Sequence, residues 1–219
     1  KQYLEKDVYS AALERIAYVF DEFEKVYVSF SGGKDSSVLL QLVLKVAKEK
    51  DKLPVTVLHI DFEAWYSATV KHLTEMMIQP EVNAYWVCLP MNLRNSVSVF
   101  DSQWQCWDPT KKEKWVREMP NYPCVISDEK YFPFWRYGME FEEFIIHFGK
   151  WFSEGKKTAC LVAIRSNESL NRFRTIKNMR KETYHGLGFS TKIHENVYNF
   201  YPIYDWTTED IWTAVGKYG

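Results

Sequence analysis

Val26-Tyr27-Val28-Ser29-Phe30-Ser31-Gly32-Gly33-Lys34-Asp35-Ser36-Ser37-Val38-Leu39-Leu40 changes character twice. The first five residues are apolar, β-branched or aromatic apart from Ser29, the composition of a short buried strand. Gly32 and Gly33 then force a change of direction. From Val38 onward Leu39, Leu40, Leu42, Val43, Leu44 and Val46 form an apolar helix that runs out into Lys48-Glu49-Lys50-Asp51. The reading is a strand, a glycine turn and a helix. Paired glycines let the backbone adopt positive φ and approach a ligand with no Cβ in the way. Amide hydrogens of the first helical turn point outward, and the helix dipole favours an anion there. Ser31, Gly32, Gly33, Lys34, Asp35, Ser36 and Ser37 are therefore candidate phosphate-binding residues. The spacing fits neither GxxxxGK[ST] nor GxGxxG, which disfavours P-loop ATPases and dinucleotide-binding dehydrogenases. The plain alternative for the glycine pair is a tight structural turn with a serine N-cap.

Upstream, Ala11, Leu13, Ile16, Ala17 and Phe20 recur at helical spacing, predicting an amphipathic helix over 8–23. Downstream, Val55–Ile60 is an almost wholly apolar strand ending in Asp61, a helix spans about 66–77, and Ala84–Leu89 is a third strand. Residues 90–135, with Trp104, Trp107, Trp115 and several prolines, lose this rhythm and read as an aromatic-rich insertion or lid. A helix over 140–152 follows, then strand Thr158–Ile164 ending in Arg165. Residues 167–181 bring Arg172, Arg174, Lys177, Arg180 and Lys181, and a fifth strand lies near 197–201. Thr207 or Thr208 caps a last helix through Ile211, with Trp206 and Trp212 expected to anchor it in the core. The alternation predicts an α/β fold: a doubly wound, mainly parallel five-stranded sheet with helices on both faces. One main domain over 1–219 is expected.

Bulk properties exclude several classes. The formal net charge of −1 gives no uniform basic footprint, so nucleic acid is not indicated as a partner, although a local basic patch is compatible with it. Cys88, Cys106, Cys124 and Cys160 contain no CxxC pair and no histidine at zinc spacing; neither zinc nor an iron–sulfur cluster is expected. No apolar run approaches the ~20 residues that cross a bilayer, and no signal-peptide core is seen, so a soluble, cytoplasmic protein is expected.

Four segments resemble one superfamily. Ser31-Gly32-Gly33-Lys34-Asp35-Ser36 is similar to the pyrophosphate loop of the N-type ATP pyrophosphatases and of the phosphoadenosine phosphosulfate (PAPS) reductase family, which share an adenine nucleotide α-hydrolase-like fold. His59-Ile60-Asp61 stands where the PAPS reductase branch has an Asp closing its second strand. Ala163-Ile164-Arg165-Ser166-Asn167-Glu168-Ser169 with Arg172 is similar to its Gly-x-Arg-x-x-Glu-Ser element and downstream Arg. Pro202-Ile203-Tyr204-Asp205-Trp206 through Asp210-Ile211-Trp212 is similar to its Pro-Leu-x-x-Trp-x-x-x-Asp-[Val/Ile]-Trp element. The chain departs from the pattern at Ala163, where the family has Gly, and at Phe62-Glu63, where it has Thr-Gly. The Glu-Cys-Gly-x-His segment of true sulfonucleotide reductases is absent from the sequence.

The resemblance implies ATP or PAPS as ligand, with Mg²⁺ bridging phosphate oxygens. It implies contacts to the nucleotide from the Ser31–Ser37 loop and Asp61, catalytic roles for Lys34, Asp35 and Arg165, and metal contacts from Asp35 and Asp61. Arg165 with Arg172, Arg174 and Lys177 would form an anion collar; a solvated basic helix face is the alternative for the last two. The activity expected first is ATP cleavage between the α and β phosphates, adenylating a small acceptor with release of pyrophosphate. PAPS or adenosine phosphosulfate (APS) reduction or sulfonyl transfer is the second expectation. A nucleotide-sensing module working with a protein partner, without turnover, is the third.

Overall fold

The computed structural model describes residues 5–94, 100, 102–178 and 180–218. Residues 95–99 and 101 of the expected insertion, and Gly219, lie outside the described residues. In chain order the elements are α1 (Val8–Glu22), β1 (Lys25–Ser29), α2 (Lys34–Glu49), β2 (Val55–Ile60), α3 (Ser67–Met77) and β3 (Val82–Val87). Then come β4 (Asn92–Arg94), β5 (Gln103–Gln105), a 3₁₀ helix (Pro109–Lys114), β6 (Val125–Ile126) and α4 (Phe141–Ser153). The last are β7 (Thr158–Val162), α5 (Leu170–Lys177), β8 (Ser190–His194), β9 (Val197–Phe200) and α6 (Thr208–Tyr218).

The main sheet has the order β6-β3-β2-β1-β7-β9-β8, seven strands where five were expected. All neighbours pair in parallel except β8, which runs antiparallel to β9. The two added strands sit at the edges. β4 and β5 form a separate antiparallel pair within the insertion, whose last strand, β6, joins the main sheet beside β3.

Strand pleating sends alternate side chains to opposite faces. Tyr27 of β1 meets Phe148 and Phe152 of α4 edge-on, at 5.3 and 5.2 Å between ring centroids. Tyr85 of β3 and Phe132 extend that aromatic layer to Phe144 and Trp151. The aromatic richness of the middle of the chain is therefore core packing. Elsewhere α1 packs on α2, and α2 on α6. Asp7 caps α1, its Oδ1 accepting from the Ser10 amide at 2.9 Å. Thr207 and Asp210 cap α6 reciprocally: Thr207 N donates to Asp210 Oδ2 at 2.8 Å, and Asp210 N to Thr207 Oγ1 at 3.2 Å. Trp206 is 1% exposed and donates its indole N–H to Val8 O, anchoring α6 as expected. Trp212 is 57% exposed. The expectation of a second anchor is corrected here: Trp212 lies on the outer face of α6, away from the inward Ile211 and Ala214.

Candidate functional site

From β1 the chain winds outward through β2 to β3, then returns to place β7 on the other side of β1. Winding direction reverses between β1 and β7. At such a reversal the loops after the two strands diverge, leaving a crevice at their carboxyl ends where ligands of open α/β sheets bind. The Phe30–Gly33 turn follows β1, and Ala163–Ser169 follows β7. They meet through Asp35 and Arg165, with Arg165 Nε 3.1 Å from Asp35 Oδ2. Arg165 is 3% exposed and also donates to Asn167 Oδ1 at 2.7 Å. It is the brace between the two loops.

The glycines of the turn differ. Gly32 has φ +77°, and a Cβ there would lie 2.7 Å from Leu73 Cδ2, so backbone conformation and packing both demand glycine. Gly33 has φ −79° and ψ 164° and is the N-cap of α2; a Cβ there would find only Ser31 Oγ, at 3.5 Å. The outer side of the turn is open at Gly33. Its carbonyl oxygen collects three hydrogen bonds, from Ser36 Oγ, Ser37 Oγ and Ser37 N, each at 2.9 Å. Ser31 and Ser36 hydroxyls are 3.0 Å apart, and Ser37 Oγ lies 2.7 Å from His72 Nε2. The serines thus tie the turn to itself and to α3. Amides at the start of α2 have no partner inside the helix, as at every helix N-terminus. Lys34 keeps a part-exposed ammonium 3.2 Å from Asp35 Oδ1.

Asp61 has a different neighbourhood. It is fully buried, and Arg117 Nη2 donates to both its oxygens at 2.6 Å. Trp86 Nε1 donates to Oδ2 and Glu63 N to Oδ1, both at 2.8 Å. Glu63, in a left-handed conformation (φ +67°) and 4% exposed, accepts from Trp107 N at 2.7 Å and Val116 N at 2.8 Å. Its carbonyl accepts from Arg117 Nε, and Trp107 Nε1 donates to Asp61 O. The end of β2 is thereby tied to residues 107–117 of the insertion. Arg117 and His72 were not singled out from sequence, and His59 and Glu63 were noted only as neighbours of Asp61 in its segment; the partners of all four are distant in the chain. His59 is buried with Nδ1 2.8 Å from Phe30 O, supporting the turn from below. Burial lowers its pKa, so the neutral ring is favoured.

Asp35 and Asp61, the expected metal contacts, belong to separate guanidinium pairs. Among the described residues no three His, Cys, Asp or Glu side chains group as a metal cage. Each of these carboxylates already faces a guanidinium, so a cation at either one would have to share it with that arginine. Of the expected collar, Arg165 is at the loop. Arg172 lies 3.9 Å from Glu168, and Arg174 and Lys177 line a depression on α5 that holds no residue of the turn.

The phosphoadenosine phosphosulfate reductase domain model matches residues 25–218, from β1 through α6. The chain belongs to this family. An Escherichia coli (strain K12) protein, the uncharacterized protein YbdN, is 38% identical over 212 residues, covering 94% of this chain and 51% of YbdN. The chain thus spans about half the length of that relative. Among solved structures, Candida auris PAPS reductase in a phosphate complex superposes with a TM-score of 0.51 at 11% identity, covering 99% of this chain and 88% of that one. Candida glabrata FMN adenylyltransferase with FMN and the ATP analogue AMPCPP gives a TM-score of 0.51 at 14% identity, covering 98% and 60%. At these identities the likeness is one of fold.

Within this PAPS reductase-family domain the thiols are poorly placed for redox chemistry. Cys88, Cys106 and Cys160 are buried and Cys124 half-buried, all unpaired. Burial pushes Cys106 and Cys160 up to about 12 and raises Cys88 and Cys124 as well. A thiolate is the nucleophile in disulfide and sulfonyl chemistry, and these environments suppress it.

Proposed function

We propose that this domain binds an adenine nucleotide with its phosphates against the Ser31–Ser37 turn, and that the chemistry is cleavage of ATP between the α and β phosphates. One observation carries the reading: a turn that needs glycine at Gly32 and is open at Gly33 stands at the start of α2, at the point where the sheet reverses. An acceptor oxygen would attack the α-phosphorus as the bridging α–β P–O bond breaks, and pyrophosphate would leave. Lys34 and the amides opening α2 would take up charge on the departing group. Arg165 would act through Asp35, fixing the start of α2 against the loop after β7. Asp61 would hold the insertion in place rather than touch the nucleotide. Any Mg²⁺ would arrive on the nucleotide's own phosphate oxygens and offset their charge there. Family membership supports a nucleotide ligand, and the four cysteines within residues 1–219 offer no exposed thiolate at this site.

Thermal-shift comparison of ATP, PAPS and APS tests the ligand. A ligand at about a hundred times its Kd stabilises the folded state by about 2.7 kcal/mol, and ATP is expected to raise Tm most. Pyrophosphate release from ATP tests turnover. No shift with any of the three would refute the nucleotide reading; a shift without pyrophosphate release, across candidate acceptors, would leave a binding module that works without turnover.

A further inference from the structure

The second basic feature of the chain is not at the phosphate turn. Helix α5 begins just after the Arg165 loop, with Ser169 as its N-cap accepting from Arg172 N at 3.2 Å. Of its eight residues only Ile176 is buried. Leu170 is 63% and Phe173 46% exposed, beside exposed Asn171, Arg172, Arg174 and Lys177, with exposed Arg180 beyond the helix end. Among the described residues Arg174, Lys177 and Arg180 make no ion pair; Arg172 has only Glu168, at 3.9 Å. Asn171, Phe173, Arg174, Thr175, Lys177 and Asn178 line an open depression of about 580 Å³. A chain of net charge −1 has gathered unpaired cations, side-chain amides and a bare aromatic ring on two helical turns.

We propose that this face of α5 binds single-stranded nucleic acid. Each component matches a part of such a strand. Arg174, Lys177 and Arg180 offer charge to successive phosphates, whose counterions are released on binding. Phe173 offers a ring on which an unpaired base stacks. Asn171 offers an amide that can both donate to and accept from a base edge, and Asn178 offers its Nδ2 donors, its Oδ1 accepting from the Arg180 amide at 2.9 Å. An acidic protein would need the cations alone and leave Phe173 and Leu170 wet. A membrane surface would need a longer apolar stripe than Leu170 and Phe173 supply, because Ile176 is turned into the core. The surface stands independently of the ATP reading.

Fluorescence anisotropy with labelled twelve-nucleotide oligo-U and oligo-dT, titrated at several salt concentrations, tests it. Three phosphate contacts predict a slope of log K against log salt of about −2, from roughly 0.7 per contact on a single strand. Arg174→Ala with Lys177→Ala should make that slope shallower by about 1.4 and weaken binding at least tenfold at low salt. Phe173→Ala should weaken binding about tenfold with the slope unchanged, the signature of stacking rather than charge. All three side chains are exposed, and circular dichroism checks that the variants fold. Tighter binding of one oligonucleotide names the strand as RNA or DNA. The proposal is overturned if neither oligonucleotide binds at low salt, if the substitutions change nothing, or if a polyglutamate peptide of equal charge competes as well as the oligonucleotide. It is also overturned if the Arg174/Lys177 double variant loses its stabilisation by ATP, which would assign these residues to the nucleotide's phosphates.

Discussion

Gly32 and Gly33 are neighbours with different constraints, and substitutions should separate folding from binding. At Gly32 a side chain meets both an unfavourable φ and Leu73, so Gly32→Ala should destabilise the fold by about 1–3 kcal/mol, seen as a lower Tm without ligand. At Gly33 the backbone is extended and a Cβ has room, so Gly33→Val should leave that Tm within about 2 °C while abolishing the ATP-induced shift, because the new methyls occupy the phosphate's place. Retained ATP affinity in Gly33→Val would mean that the phosphates lie elsewhere. His59 adds a pH dependence. Burial lowers its folded pKa below the unfolded value of about 6.5, so at lower pH the unfolded chain binds a proton the folded chain refuses. Its contribution to stability is therefore complete above about pH 6.5 and is lost as pH falls below it. Urea titrations at pH 7.5 and 5.5 should show a fall in stability that shrinks in His59→Gln, where a neutral amide can still reach Phe30 O.

Among the elements, the insertion is held chiefly by polar groups at the end of β2. Arg117 is the partner of a fully buried carboxylate, and removing one member of a buried pair costs about 3–5 kcal/mol because the remaining charge is stranded. Arg117→Leu should fall near the lower end, since Trp86 and the Glu63 amide still donate to Asp61. Hydrogen exchange in residues 103–118 should rise in that variant before exchange in β1 or β7 does; uniform acceleration would show that the strut is not local. These residues were opaque in the sequence for a physical reason. Glu63 and Arg117 act across a gap of 54 positions, and neither lies in a periodic segment. The two unexpected strands were opaque for related reasons. β6 is only Val125–Ile126, too short to show alternation, and β8, Ser190-Thr191-Lys192-Ile193-His194, is an edge strand defined by its pairing with β9. By contrast β1, β2 and β7 carry mostly apolar residues because helices or insertion cover both faces, and such runs are legible without any partner.

Over the whole molecule the same burial that makes the central strands legible also decides what the thiols can do. The Asp35–Arg165 brace could be suspected from sequence only as two separate charged residues at strand ends; it becomes one feature because the sheet reverses between β1 and β7. Cys160 on β7, Cys88 just after β3 and Cys106 within the insertion are all buried. Their folded pKa values lie above those of the unfolded chain, with Cys106 and Cys160 near 12. Below about pH 8.5 both states keep the thiol proton. Above it the unfolded chain releases protons that the folded chain retains, so stability declines as pH rises from about 8.5 toward 12. The kinetic counterpart is direct, because alkylation needs an accessible thiolate. Iodoacetamide at pH 8 should modify Cys124 slowly and the other three only after unfolding in urea, as read by mass spectrometry of peptic fragments. Rapid labelling of Cys160 in the native protein would mean that β7 is not packed as described, and with it the crevice assigned to the nucleotide would lose one wall.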